Sequence, residues 1–587
     1  MWCKASKNGV CSSQKVKREL EDGVTPPVRS VRRIGSVAAA PAGHAVDYGT
    51  DFITAFPENL AYYFPSVLYL QLKITTLFPG TMITVKMNTT VIIEKSIDQP
   101  QVSIVKINDA EVNQLGISGR AIRITSTKNI TVFSISTRGD SVQSNVVPPT
   151  AHLGVEYLVP SLNYTELAVK MNTYNVSQFT SSNDVLMDFS YRLLIINAKE
   201  TDNVIKVTEK LPSGDNEITV TLGPLALTQL ASSAYWFKVS SSDKVAVILT
   251  NPCVDSLSCR CNMIAHQLRP NELLGTEFIY PQFNSSKYRL FVTSAESVDL
   301  SCGSESRNIP PGSTGLLPYL PDLVSTNPIL KTSKPSAVRV ISPGLIIDLL
   351  SKSLFAGCFL VHVTMPSQPK ALVIVETAQK DLVHINTIPA AGTSWEEISG
   401  TPYSWDLITL SNPSSVIWHP NSPIAVYSME NSGAVGIYGG PAISLNNEPD
   451  PNGCVVVPMA FELSNITLSW QESRSYCTSK SKLLVSPNFN YTQQKLVATL
   501  NSMNAEGVAW LGLRRDLVTS EWYWPRPVPF SFANWDNNQP GGGLCVSMRM
   551  EPSGNFTWST VRCCSPMLPL CATEMVIVTT LTDVPLN

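Results

Sequence analysis

The chain is 587 residues long, 43% hydrophobic and 15% charged, with a net charge of −3. That length holds several domains and that hydrophobic content supplies their cores, which excludes a mostly disordered chain. A near-neutral balance excludes a global basic field, so no nucleic-acid partner is expected, and no stretch of 18 or more apolar residues marks a membrane span.

Residues 1–45 are expected to be a disordered basic tail that closes in a Pro/Gly/Ala-rich stretch over 37–43. Up to Arg33 it carries eight Lys and Arg against three acids. Lys15-Val16-Lys17-Arg18 offers the sharper reading of a cleavage site for a subtilisin-like proprotein protease. No apolar run follows the early charges, so no secretory signal is read.

From Tyr48 to Leu445 the chain is dense in short runs rich in Val, Ile and Thr, such as residues 82–87, 192–196, 244–249 and 371–375. Gly, Pro, Asn and Ser separate them, and no amphipathic helix pattern interrupts them. That pattern predicts an all-β region. An opening phrase recurs: Gly49-Thr50-Asp51-Phe52-Ile53, Gly154-Val155-Glu156-Tyr157-Leu158 and Gly275-Thr276-Glu277-Phe278-Ile279. A closing phrase recurs at 130–133, 245–248 and 424–427. Three sandwich-like β units are therefore expected, at about 46–150, 151–270 and an enlarged 271–445.

Two longer phrases suggest a family. One is Ala151-His152-Leu153-Gly154-Val155-Glu156-Tyr157 with Val159-Pro160. The other is Lys244-Val245-Ala246-Val247, then Cys253, then Leu274-Gly275-Thr276-Glu277-Phe278. Through them residues 46–445 resemble the N-terminal region of IgG-Fc-binding proteins. The resemblance implies a secreted, mucus-associated or adhesive setting, in which this region often serves as a scaffold beside other modules. Nothing in these residues marks a site for immunoglobulin.

Residues 446–453, with two prolines and a closing Gly, read as a linker. Beyond them lie six of the 11 Trp and six of the 13 Cys. The cysteine cluster reads as a disulfide framework of an exported protein, with many connectivities open. Trp470, Ser473 and Cys477 fall on one face of an early helix. A second helix is expected over 493–503, then an apolar strand over 509–513, then a strand in which Trp522 and Trp524 share a face.

This order, followed by Asn534-Trp535, Gln539-Pro540, Cys545, Trp558 and Cys571, resembles the C-type-lectin-like domain over residues 454–574. A tail is expected at 575–587. The resemblance implies a Cys477–Cys571 bridge and a loop bridge from Cys545 to Cys563 or Cys564, with Cys454 taking the remaining one. It also implies where a calcium-dependent sugar site would lie. Calcium wants about 6–8 oxygen ligands. In sugar-binding members a Pro-centred phrase supplies two side-chain carbonyls, an acid follows, and a Trp-Asn-Asp phrase adds an amide and a carboxylate. Here the phrases are Gln539-Pro540-Gly541, Gly542-Gly543-Leu544 and Trp558-Ser559-Thr560, so Gln539 alone keeps a matching carbonyl. No calcium and no other cofactor is expected, although Asp536, Asn537 and Asn538 stand nearby as substitutes. Trp535 could stack on a sugar ring while Asn537, Asn538 and Gln539 hydrogen-bond its hydroxyls, but in this fold its counterpart is normally core.

Cys253, Cys259 and Cys261 are expected to form disulfides rather than a soft metal cluster with His266. Cys302 and Cys358 are expected to pair within the third unit. Eight Asn-x-Ser/Thr sequons, at Asn88, Asn129, Asn163, Asn175, Asn284, Asn465, Asn490 and Asn555, are candidate glycosylation sites. The six His form no His-Glu-x-x-His pattern, no nucleophile elbow exists, and Gly541-Gly542-Gly543 lacks a phosphate-loop Lys, so no catalysis is expected. The expectation is a multidomain, secreted or cell-surface recognition, adhesion or innate-immune protein that binds a glycan or glycoprotein, or other mucus proteins, through its last domain. The alternative is a structural mucus or matrix scaffold in which that domain is architectural.

Overall fold

The structure, a computed structural model, describes residues 46–586 apart from 61–65, 140, 161–190, 212–213, 232–234, 257–259, 281–288, 303–304, 311–314, 318–328, 343–344, 365–368, 391–393, 432–436, 526–529, 552–553 and 555. The chain is multidomain: the described residues of 46–456 with 577–586 form one compact β unit, and those of 457–576 form another.

The first compact unit is built by repetition of one device. Gly49–Thr54 lies antiparallel on Ile122–Arg138, Gly154–Leu158 on Tyr235–Ser256, and Gly275–Ile279 on Ile329–Ser342. In all three pairs the register shifts just after the glycine. A Cβ at Gly49 would stand 2.6 Å from Pro149 Cβ, at Gly154 2.4 Å from Pro270 Cβ, and at Gly275 2.3 Å from Ser351 Cβ. Pro149, Pro270 and Ser351 each lead into a short 3-10 turn, at Thr150–His152, Asn271–Leu273 and Lys352–Leu354. On leaving each repeat the chain therefore presses on the strand by which it entered, and only a residue without a side chain admits that approach.

The repeat count differs from expectation. The expected third unit, 271–445, is two repeats. The strand Ile329–Ser342 closes the third, and 424–427 closes a fourth that opens at Gly357, where Ala356 bridges Ile424. A Cβ at Gly357 would meet Glu448 O at 2.5 Å, so the expected linker packs as the exit of this fourth repeat. The fourth repeat has two five-stranded sheets, one around Cys358–His362 and one around Lys370–Glu376. Its opening phrase differs from the other three: the aromatic Phe359 follows its glycine by two residues, whereas Phe52, Tyr157 and Phe278 follow theirs by three.

Alternation along the strands fills the cores. In the first repeat Leu72, Ile74, Ile83, Val85, Ile124 and Val132 point inward. Full burial of each such side chain is worth about 1.5–3 kcal/mol. The expected terminal tail is also corrected. Asp583–Leu586 adds a parallel strand to Gln101–Ile107 of the first sheet. Asp583 forms an ion pair with Lys73 at 2.9 Å and accepts the Ser414 hydroxyl at 2.7 Å. Burial there excludes water, so a charge that lost its partner would be left uncompensated.

Among its described residues the second compact unit carries two helices. Helix α1 (Trp470–Ser479) starts at Ser469, whose hydroxyl accepts the Glu472 amide while Glu472 reaches back to the Ser469 amide. This capping box satisfies helix-end donors. Trp470, Ser473 and Cys477 are its buried face. Helix α2 (Asn490–Ser502) buries Thr492, Gln493, Leu496 and Leu500, and starts three residues earlier than the apolar pattern suggested. Gly507–Arg515 is the central strand between Cys545–Met550 and Leu568–Ala572. No helix among the described residues is long and apolar enough to cross a membrane.

Disulfides join Cys477 to Cys571, Cys545 to Cys563 and Cys358 to Cys454. Two expectations are thereby corrected. Cys454 takes Cys358 of the fourth repeat rather than Cys563 or Cys564, and the Cys302–Cys358 pair does not form. Cys454 opens a strand that belongs to the β unit, and its thiol is spent before the last domain begins. Cys253 is disulfide-bonded. Cys259, the side chain of Cys261, the 1–45 tail and the sequons at Asn163, Asn175, Asn284 and Asn555 lie outside the described residues. Asn88, Asn465 and Asn490 are exposed and Asn129 is half-buried.

Candidate ligand-binding site of the last domain

The expected site residues lie on one loop, 534–544, and on the strand Trp558–Val561 beside it. Trp558 is the foundation. It is fully buried, and its indole donates to Gln493 Oε1 at 3.3 Å. Its backbone carbonyl accepts the Asp536 amide and its own amide donates to Asn534 O, which pins the start of the loop. Asp536 and Gln539 then close a turn, in which Asn538 adopts a positive φ of 61°. Asn is among the residues that tolerate this conformation.

Gln539 is the centre of the loop. Its side-chain carbonyl accepts the Thr560 hydroxyl at 2.8 Å, the Thr560 amide at 3.0 Å and the Gly541 amide at 3.0 Å. The Gly541 amide also reaches Thr560 Oγ1 at 2.9 Å. The oxygen that would face a cation is therefore filled by three donors from its own domain. Gly543 packs so closely on the neighbouring strand that a Cβ there would lie 2.4 Å from Val561 N. No group of three or more His, Cys, Asp or Glu converges among the described residues.

Trp535 is half-buried rather than wholly core. It sits edge-to-face on Trp558 at 5.9 Å and against Trp522 at 5.3 Å. Arg515 lies over the other ring, 5.6 Å from the Trp522 centroid. Arg515 also donates to Ser520 O, which ties it to the hairpin tip. Asp516 organises that tip: the Thr519 and Val518 amides hydrogen-bond its carboxylate and hold its pKa below the ordinary range. The result is a shelf of two half-exposed indoles and one guanidinium, flanked by the exposed Asn537 and Asn538.

The structure thus brings Trp535, Asn537, Asn538 and Gln539 together, but gives Gln539 an internal role. Sequence reasoning missed Thr560, Trp522 and Arg515. Thr560 is two residues after Trp558, and its value as a hydrogen-bond partner depends on a loop 20 residues away that no local pattern places beside it.

A family described as "IgGFc binding protein" matches residues 143–430, and one described as "Lectin C-type domain" matches residues 466–573. The human IgGFc-binding protein is 28% identical over 263 residues, 43% of this chain. The chain spans only 4% of that relative's length. Among solved structures, human lithostathine is 19% identical, with 20% of this chain and 83% of that chain covered and a TM-score of 0.19. A calcium-independent type II antifreeze protein is 18% identical, with 21% and 97% covered and a TM-score of 0.18. The carbohydrate-recognition domain of the mouse scavenger receptor C-type lectin is 23% identical, with 21% and 93% covered and a TM-score of 0.18.

Proposed function

We propose that this chain, which carries an IgGFc-binding-protein region followed by a C-type lectin domain, is a non-catalytic extracellular recognition protein whose lectin domain binds without calcium. The observation that carries the reading is the Gln539 carbonyl, already taken by Thr560 and Gly541. Calcium needs about 6–8 oxygens with carboxylates among them. Gly541 has no side chain to offer, and Ser559 and Thr560 replace the expected amide and carboxylate. The residues present do not fit that ion.

The ligand-facing surface is instead the Trp522–Trp535 shelf with Arg515, Asn537 and Asn538. Aromatic faces stack on sugar rings or on apolar side chains, and amides supply both donors and acceptors. The partner is a glycan or a glycoprotein. The β repeats serve as the scaffold from which the domain is presented, and the disulfides suit an oxidising compartment.

A glycan array probed with the full chain, with and without EDTA, tests this. Binding unchanged by EDTA supports it, and binding abolished by EDTA overturns it. Absence of any glycan signal, with Trp535→Ala indistinguishable from the parent in capture of mucus glycoproteins, favours the alternative of a structural mucus or matrix scaffold.

A further inference from the structure

The β unit carries a partly open cavity of about 110 Å³ among its repeat crossings. Its wall is mostly apolar, with Phe133, Ile346 and Phe359 among the lining side chains. A water takes up about 30 Å³ in the liquid, so the space amounts to roughly four waters.

Three ionisable groups bear on it. Asp348 is bound to Arg339 at 2.8 Å and to His266 at 3.2 Å. Asp47 accepts the Ser444 amide at 2.8 Å. Arg269, which also lines the cavity, is half-buried, and among the described residues no hydrogen bond or ion pair holds it. Burial lifts the Asp47 carboxyl above the ordinary carboxylate range, with the Arg269 charge opposing it, while His266, Arg339 and Arg269 together outweigh burial at Asp348 and hold it below that range. A guanidinium partly withdrawn from water without a partner is unfavourable, and its planar fork of donors matches a carboxylate.

We propose that this cavity is a binding site for a small monocarboxylate with an apolar body, its carboxylate on Arg269 and its body against Phe133, Ile346 and Phe359. Asp348 sets the limit of one negative charge, because a second anionic group on the ligand would face its carboxylate at short range.

The test uses the full chain and calorimetric titration with benzoate, with benzamide and phthalate as the neutral and doubly charged controls. Saturable benzoate binding is expected, with benzamide and phthalate at least tenfold weaker. Arg269→Met keeps most of the bulk and removes the charge, and it should weaken benzoate at least tenfold. Gly440 also lines the cavity, and a Cβ there would meet nothing within 4 Å. Gly440→Leu should fold and block benzoate, which keeps the test decisive if Arg269→Met does not fold. No saturable binding to the parent chain, benzoate affinity unchanged in either folded variant, or a structure of the benzoate-treated protein with water alone in the cavity would each overturn the proposal.

Discussion

Thr560 and Gln539 hold each other across the site loop: the threonine hydroxyl and amide both donate to one side-chain carbonyl, at 2.8 and 3.0 Å. The pair fixes the loop against the adjacent strand. Thr560→Val removes the hydroxyl and leaves part of the Gln539 carbonyl unsatisfied. The expected cost is about 1–2 kcal/mol. Calorimetry should show the unfolding of the last domain moving down by a few degrees, while that of the β unit stays put.

The same geometry predicts indifference to calcium. A ligand at 100 times its dissociation constant stabilises the folded state by about 2.7 kcal/mol. Millimolar calcium should produce no such upward shift of the last domain's unfolding temperature. A saturable shift that EDTA reverses would contradict the reading of the loop.

The entry glycines should be intolerant of any side chain. Gly49→Ala, Gly154→Ala and Gly275→Ala each place a methyl within 2.6 Å of another residue's side chain. Overpacking of this kind costs about 1–3 kcal/mol. Gly542→Ala, where a Cβ meets nothing within 4 Å, is the control and should stay within about 0.5 kcal/mol of the parent. Thermal unfolding of the four variants gives the comparison.

Cys358 and Cys454 close a loop with a sequence separation of 96. By the chain-entropy estimate such a bridge adds about 4–5 kcal/mol, and measured losses for small domains run about 2–5 kcal/mol. Cys454→Ser should therefore destabilise the β unit and leave the last domain's transition in place. Peptide mapping without reductant should recover the 358–454 peptide pair. Recovery of Cys454 joined to Cys563 or Cys564 would refute the assignment.

His362 sits buried between the Thr75 and Ser414 hydroxyls, near Lys73. Burial, and then the Lys73 charge, push its pKa well below the ordinary imidazole value. In the fold it stays neutral, whereas the unfolded chain protonates it near pH 6.5. Its contribution to stability is thus fully present above about pH 6.5 and is lost as pH falls, by up to about 1.4 kcal/mol per pH unit. Burial lowers His152 and His419 too, so they act with the same sign. Stability measured from pH 7 to 5 should fall, and His362→Asn should flatten part of that slope.

The last domain was the most legible part of the chain. Its helix α1 is written in Ser469, Glu472 and the spacing of Trp470, Ser473 and Cys477, all within one or two turns. The β region was legible in kind and miscounted in number. The openings at Gly49, Gly154 and Gly275 share one phrase, while Gly357 performs the same task in a different one. The common requirement is a missing side chain under a crossing strand, and many sequences meet it.

Local chemistry, then, was enough to specify strands, helices, caps and the poverty of metal ligands around Gln539, because propensity, periodicity and side-chain type act over a few residues. Folding in three dimensions settled the rest: the partner of Cys454, the docking of Asp583 beside Lys73, and the three donors on the Gln539 oxygen. Each of these is a competition among groups far apart in the chain. Its outcome depends on which edge, pocket or acceptor the packed repeats leave available, and no short stretch of residues carries that information.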